Sequence, residues 1–261
     1  MPFHAIPTYP PRHGQDERYW REPYSVFTNS DGRLMMVDPF KDTPVLIHDP
    51  TYDMIDYHLD QTVVGENYTA FVMRGPQGLK GYEVRHANVN VVFSINTEVE
   101  WNMIMAYAGN YLYTIRGGKL VCLNKHAPDV EMEGCEAYLN DDFRVKMVSL
   151  GATIFIWFQS CTFAVERSCH QFMFDGTRVE KVHGESHRWC RFYYSRLYDV
   201  VFANNWYDDG MQIVTFKKTD RWVCRSALYE IPNDFGCLTN TCFGVITHNF
   251  NNRRVSRFTL G

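Results

Sequence analysis

The densest set of side chains able to do chemistry is His183-x-x-x-His187-x-x-Cys190, with Cys169-His170 upstream. Imidazole and thiolate are good zinc donors, so His183, His187 and Cys190 are the candidate metal ligands. No Cys-x-x-Cys pair accompanies them, and a His/Cys-rich surface loop is the simpler reading. No metal or other cofactor is expected. Asp141-Asp142 and Asp208-Asp209-Gly210 offer carboxylates for calcium, but that ion takes about six to eight oxygens. Asp-Gly between strands is ordinary turn chemistry. The sequence contains neither Gly-x-Ser-x-Gly nor a glycine-rich phosphate loop, so no catalytic residue is nominated.

What remains is recognition. Arg74, Gln77, Arg116, Gln159, Trp206, Tyr207, Phe250 and Asn251 fall in or beside turns that follow β-type segments. Trp206 and Tyr207 stand in a polar turn, where large rings have no core to fill. Aromatic rings beside arginine are common anchors for a protein partner. The candidate partner-binding residues are therefore Arg74, Arg116, Trp206, Tyr207, Phe250 and Asn251.

The elements that would position these turns repeat. Six β segments, SVFTN, YTAFVM, YLYTIR, TIFIWF, VVFANN and CFGVIT, align with Phe27, Phe71, Tyr113, Phe155, Phe202 and Val245 in register. The spacings are 44, 42, 42, 47 and 43 residues. A polar or glycine-bearing turn and a second strand follow each segment: LMMVD, LKGYEV, KLVCLN, TFAVER, MQIVTF and RVSRFTL. Two β-rich runs about a Gly or Asn turn read as a hairpin. Further strand candidates flank the hairpins, giving about four strands per period of roughly 43 residues, the unit of a propeller blade. No window shows sustained helical spacing. The expected fold is all-β, a single six-bladed β-propeller domain over residues 1–261. A twisted β-sandwich is the competing fold, but it does not require six evenly spaced hairpins.

YLYTIRGGKLVCLN, with its diglycine after the second strand, resembles a kelch repeat, and LMMVDPFKDTPVLI resembles the stretch that follows such a diglycine. The likeness covers two of the six repeats. Kelch proteins are mostly binding platforms, so the resemblance implies an interaction scaffold or adaptor rather than an enzyme. A metal-dependent hydrolase with its site in the axial funnel, and an RNA-binding propeller, are the alternatives.

The 261 residues are 45% hydrophobic and 21% charged, with 18 Phe and 16 Tyr. That composition suits a globular protein with a full core. A formal net charge of -4 leaves no broad electrostatic footprint for nucleic acid. No apolar run approaches the length of a membrane span, and the first residues lack the apolar core of a signal peptide. An intracellular chain, cytoplasmic or nuclear, is expected, with its eight cysteines reduced. The last repeat lacks a strand after RVSRFTL, while residues 1–15 form a Pro-rich arm without a blade of its own. An open sheet edge invites aggregation. Residues around Phe3 to Tyr9 are therefore expected to add to the last blade as its outer strand, closing the ring.

Overall fold

The structure is a computed structural model. It describes residues 3–5, 25–28, 34–37, 45–46, 58–64, 69–75, 78–85, 88–96, 103–161, 169–184, 191–195, 200–204, 210–230, 237–241, 244–249 and 254–260. The described residues are all-β, with one 3-10 turn at Glu136–Tyr138. None of their helices is long and apolar enough to cross a membrane.

In chain order, β1 is Phe3–Ala5. Strands β2 (Ser25–Thr28), β3 (Leu34–Val37) and β4 (Val45–Leu46) form an antiparallel meander. The next meander is β5 (His58–Val64), β6 (Thr69–Gly75), β7 (Gly78–Arg85) and β8 (Asn88–Ile95). A third is β9 (Met105–Ala108), β10 (Tyr111–Arg116), β11 (Lys119–Cys122) and β12 (Val130–Glu131). The fourth is β13 (Phe143–Leu150), β14 (Thr153–Ser160), β15 (Cys169–Phe174) and β16 (Val179–Gly184). The fifth is β17 (Arg191–Ser195), β18 (Val200–Asn204), β19 (Gly210–Lys218) and β20 (Trp222–Glu230). Last come β21 (Cys237–Thr241), β22 (Gly244–Asn249) and β23 (Arg254–Leu260).

Five of the six expected hairpins thus fall inside their own meanders. Gly117 and Gly118 show why one of them is so clear. Both have positive φ, 54° and 79°, and they join Arg116 to its cross-strand partner Lys119. A two-residue turn with both φ positive matches the twist of its strands, and glycine adopts it without strain.

The fourth hairpin departs from the sequence expectation. Strand β14 runs on through Gln159 and Ser160, expected as the turn, and its partner is Cys169–Phe174 rather than TFAVER, which lies outside the described residues. CHQFMF has two phenylalanines to the one of TFAVER and the better apolar run for a buried strand: Phe172, Met173 and Phe174 are all buried.

By its contacts the chain gathers into two compact units. The first holds residues 1–99, 195–199 and 231–261. In it β2 lies against β5, β6 and β21, and β21 also meets β5. Strand β1 pairs antiparallel with β23, Phe3 opposite Leu260, His4 opposite Thr259 and Ala5 opposite Phe258. The N-terminal strand therefore takes the outer edge of the last meander, the position expected from the missing strand.

The second unit holds residues 100–194 and 200–230. Its centre is β14. Ile154, Phe155, Ile156, Trp157 and Phe158 are all 0% exposed. Side chains alternate between the faces of a strand. Ile154, Ile156 and Phe158 accordingly join one cluster, with Tyr113, Leu120, Phe172 and Phe174. Phe155 and Trp157 join another, with Met173, Val201, Val214 and Cys224. A strand buried on both faces reads as an unbroken apolar run, as TIFIWF does. Each such side chain contributes about 1.5–3 kcal/mol relative to exposure. The third meander is tied to the fourth where Tyr107 N–H donates to Ser149 Oγ (2.7 Å) and Gly109 N–H to the Gly151 carbonyl (2.7 Å).

The fourth and fifth meanders share one eight-stranded sheet. Strand β16 pairs in parallel with β20, Val182 opposite Trp222 and Gly184 opposite Cys224. The halves fold back over the Phe155–Trp157 cluster, where Phe155 and Phe216 approach to 4.7 Å. Independent blades would not share hydrogen bonds, so this seam differs from the expected pattern. Gly184 permits it. Its φ is 111°, and a Cβ there would collide with the Cys224 carbonyl.

Candidate functional site

The second unit contains a groove of about 1160 Å³. It opens at the strand ends where β9 turns into β10, β13 into β14, and β15 into β16, with the β11–β12 connection along one side. That volume exceeds the roughly 300–1,000 Å³ of small-molecule pockets, and suits a longer occupant.

Each wall is fixed locally. Asn124 holds the β11–β12 connection: its Oδ1 accepts the Leu112 N–H (2.9 Å) and its Nδ2 donates to the Asn110 carbonyl (3.0 Å). Beyond it come Lys125, His126, Pro128, Asp129, Glu131 and Glu133, all exposed. Tyr111 is 41% exposed, with the Lys125 ammonium 4.9 Å from its ring centre. Cation and ring attract through the ring's quadrupole. Tyr113 stands behind it, edge-on to Phe174 at 4.9 Å. Burial raises the Tyr113 phenol above its usual range, and Cys122 and Tyr111 add to that.

The opposite wall is the β15–β16 turn. Asp175 Oδ1 accepts the N–H groups of Thr177 and Arg178 (3.1 Å each) and the Thr177 hydroxyl (2.7 Å). This is an Asx turn. Asp175 Oδ2 takes a hydrogen bond from Lys218 Nζ (2.9 Å), which also pairs with Glu180 at 2.7 Å. Burial pushes the Asp175 carboxyl up, but the bonds from Lys218, Thr177 and Arg178 outweigh it and hold the group below the usual carboxylate range. Lys218 is raised in turn, by Glu180 first and then Asp175. Arg178 at the rim is paired with Glu180.

Of the eight residues expected to act from sequence, three lie among the described residues. Arg116 is exposed at the β10–β11 turn and Gln159 lies near the end of β14. Both are at strand ends opposite to those that form the groove. Arg74 is near the end of β6 in the first unit. Gln77, Trp206, Tyr207, Phe250 and Asn251 lie outside the described residues.

Of the metal candidates, His183 is exposed on β16, while His187 and Cys190 lie outside the described residues. His170 stacks on Tyr138 at 3.9 Å and meets Phe143 edge-on at 5.9 Å. Burial, then Lys181, lowers its pKa. Among the described residues no three His, Cys, Asp or Glu side chains converge as for a metal ion. Asp141 and Asp142 are exposed, and the Asn140 Oδ1 accepts the Asp142 N–H in a turn (2.9 Å). Asp208 and Asp209 lie outside the described residues.

Sequence reasoning passed over Tyr111, Lys125, Asp129 and Glu133. Their one available signal was Lys125-His126-Ala127-Pro128-Asp129, a polar insertion after a short strand. The chain matches no family model, and no curated protein is similar enough in sequence to match it.

Proposed function

We propose that the six meanders stand as blades of one propeller, closed by β1 on β23, and that the ring is a scaffold holding a protein partner. Three features support the ring. Strand β14 is buried on both faces, as a blade between two neighbours would be. The third and fourth meanders are joined through Tyr107 N–H to Ser149 Oγ and, just past the strands, Gly109 N–H to the Gly151 carbonyl. In the other unit β2, β5 and β21 lie against one another.

The observation that carries the function is the groove between the third and fourth meanders. It offers an exposed aromatic platform at Tyr111, carboxylates at Asp129 and Glu133 beside a Glu131 paired with Lys119, and a second wall braced through Asp175. A preformed groove with an aromatic anchor binds at low ordering cost. Its carboxylate wall favours an extended segment bearing Lys or Arg.

The test is affinity capture by the immobilised full chain, read by mass spectrometry against two variants. One combines Tyr111→Ala with Glu133→Lys. The other combines Trp206→Ala with Phe250→Ala. The groove reading expects the first variant to lose a captured protein at least tenfold with an unchanged melting temperature, and the second to keep it. Loss confined to the second variant would move the site to Trp206 and Phe250. Equal capture by both variants would end the scaffold reading in this form.

A further inference from the structure

The groove already contains a cation seated on an aromatic ring. Lys125 follows Asn124, whose bonds to the Leu112 N–H (2.9 Å) and the Asn110 carbonyl (3.0 Å) tie the β11–β12 connection to the start of β10. That anchor sets Lys125 beside Tyr111, and its ammonium lies 4.9 Å from the centre of the tyrosine ring. An ammonium within about 6 Å of a ring centroid is attracted by the ring quadrupole. The ring has a buried neighbour to steady it. Tyr113, two residues on and hence on the same side of β10, lies 6.4 Å from Tyr111 and is held edge-on against Phe174 at 4.9 Å.

The seat on the ring is informative because carboxylates line the same groove. Glu131 is engaged by Lys119 at 2.6 Å. Asp129 and Glu133 are exposed and, among the described residues, neither is in an ion pair. Lys125 thus lies on the aromatic surface and leaves two carboxylates open to other cations. Gly109 and Gly176 also line the groove, and nothing lies within 4 Å of where a Cβ would stand on either. Bare glycine turns let another chain approach their backbone closely. The groove therefore combines room for a chain, two carboxylates to attract a basic one, and an aromatic seat taken by the protein's own lysine.

We propose that the Tyr111 ring is the seat for one lysine side chain of the bound segment, and that Lys125 is a built-in competitor for it. This assignment rests on the groove being the partner's site. Two ammonium groups cannot share one face of one ring, and like charges held side by side repel. Binding therefore displaces Lys125 from the ring. A segment whose other contacts do not offset that exchange is rejected, which makes Lys125 a filter against weakly basic chains.

The probe is a fluorescein-labelled peptide of eight lysines, titrated with the full chain and read by fluorescence anisotropy. The proteins are the wild type, Lys125→Gln, Tyr111→Leu and the double variant, each checked for an unchanged melting temperature. Lys125→Gln should bind the peptide more tightly. Part of that gain is the loss of a like charge, and part is the freed ring. Tyr111→Leu keeps the first part and deletes the second. An exposed cation–ring contact corresponds to about two- to fivefold in affinity, so the gain should be larger by about that factor with the tyrosine present. A second measurement needs no binding variant. In protein labelled with 13C at lysine Cε, the Lys125 Hε protons lie over a ring and resonate upfield, assigned by their loss in Lys125→Gln. They should move to the ordinary lysine position as the peptide is added.

Equal gains in the two backgrounds would show that Lys125 acts through its charge alone. A Lys125 signal still shifted upfield at saturating peptide would show that it does not compete. Either result overturns the proposal and leaves the groove standing as the partner's site. So does a peptide that Lys125→Gln fails to bind, if Tyr111→Ala with Glu133→Lys still loses its captured protein. Peptide binding unchanged by Tyr111→Ala with Glu133→Lys would overturn the seat and the groove together.

Discussion

Gly184 gives the sharpest test of how the fourth and fifth meanders are joined. Its φ of 111° is rarely open to a side chain, and its own Cβ would strike the Cys224 carbonyl of the neighbouring parallel strand. Gly184→Ala therefore meets two penalties. Holding a non-glycine residue at such a φ costs about 1–3 kcal/mol. Forcing β16 away from β20 to make room costs a further 1–3 kcal/mol or so, typical of overpacking. Gly176 separates the two. It has a similar φ of 97°, yet nothing lies within 4 Å of where its Cβ would be, so Gly176→Ala meets the first penalty alone. At about 2–4 °C per kcal/mol for a chain of this size, both variants should melt below the wild type. Gly184→Ala should be the lower, by roughly 2–12 °C. Differential scanning fluorimetry reads the shift, and a urea titration with an unchanged m-value confirms that stability has moved rather than compactness. If Gly184→Ala melts no lower than Gly176→Ala, the close parallel approach of β16 to β20 is wrong.

Three further outcomes are expected. Deleting residues 1–12 removes β1 from β23 and should lower the melting temperature by several degrees; an unchanged value would separate the arm from the stability of the fold. The Cys135 thiol is fully buried, and burial, with Glu136, pushes its pKa up to about 12. Alkylation of the native protein at pH 8 should leave Cys135 unmodified until denaturant is added, as peptide mass mapping will report. Because the folded Asp175 carboxyl lies below its ordinary value, its stabilisation is present above about pH 4, the unfolded value, and fades as pH falls further. Asp175→Asn should therefore melt below the wild type at pH 7, with the gap closing below pH 4; a gap independent of pH would show that the charge of Asp175 contributes nothing.

The hairpins were legible because local chemistry and long-range packing agree in them. At Gly117-Gly118 the turn residues specify the geometry, and in TIFIWF an unbroken apolar run announces burial on both faces. The outer strand β1 was legible by counting, since one meander lacked a strand and one segment lacked a meander. Where two neighbouring runs both read as strands, as with TFAVER and CHQFMF, the turn after TIFIWF pointed to the nearer one, and it is the more apolar CHQFMF that pairs with β14. Strand β21, CLTNT, was missed because it carries mostly polar residues and gives no alternation to read. The groove was invisible for a different reason. Tyr111, Asp129 and Asp175 are far apart in sequence and each reads as ordinary strand or turn chemistry. Their convergence belongs to the stacking of two meanders, which no single segment encodes.

The pairing of β1 with β23 also governs the order of events during synthesis. Phe3 and its partner Leu260 are 257 residues apart, so one is made long before the other. At about 5–20 residues per second the wait is roughly 12–50 s. Throughout it β1 is a strand without its sheet, and the meanders made in between can settle before it is captured. Among the described pairings this one spans the most sequence, so β1 waits longest for the strand that holds it.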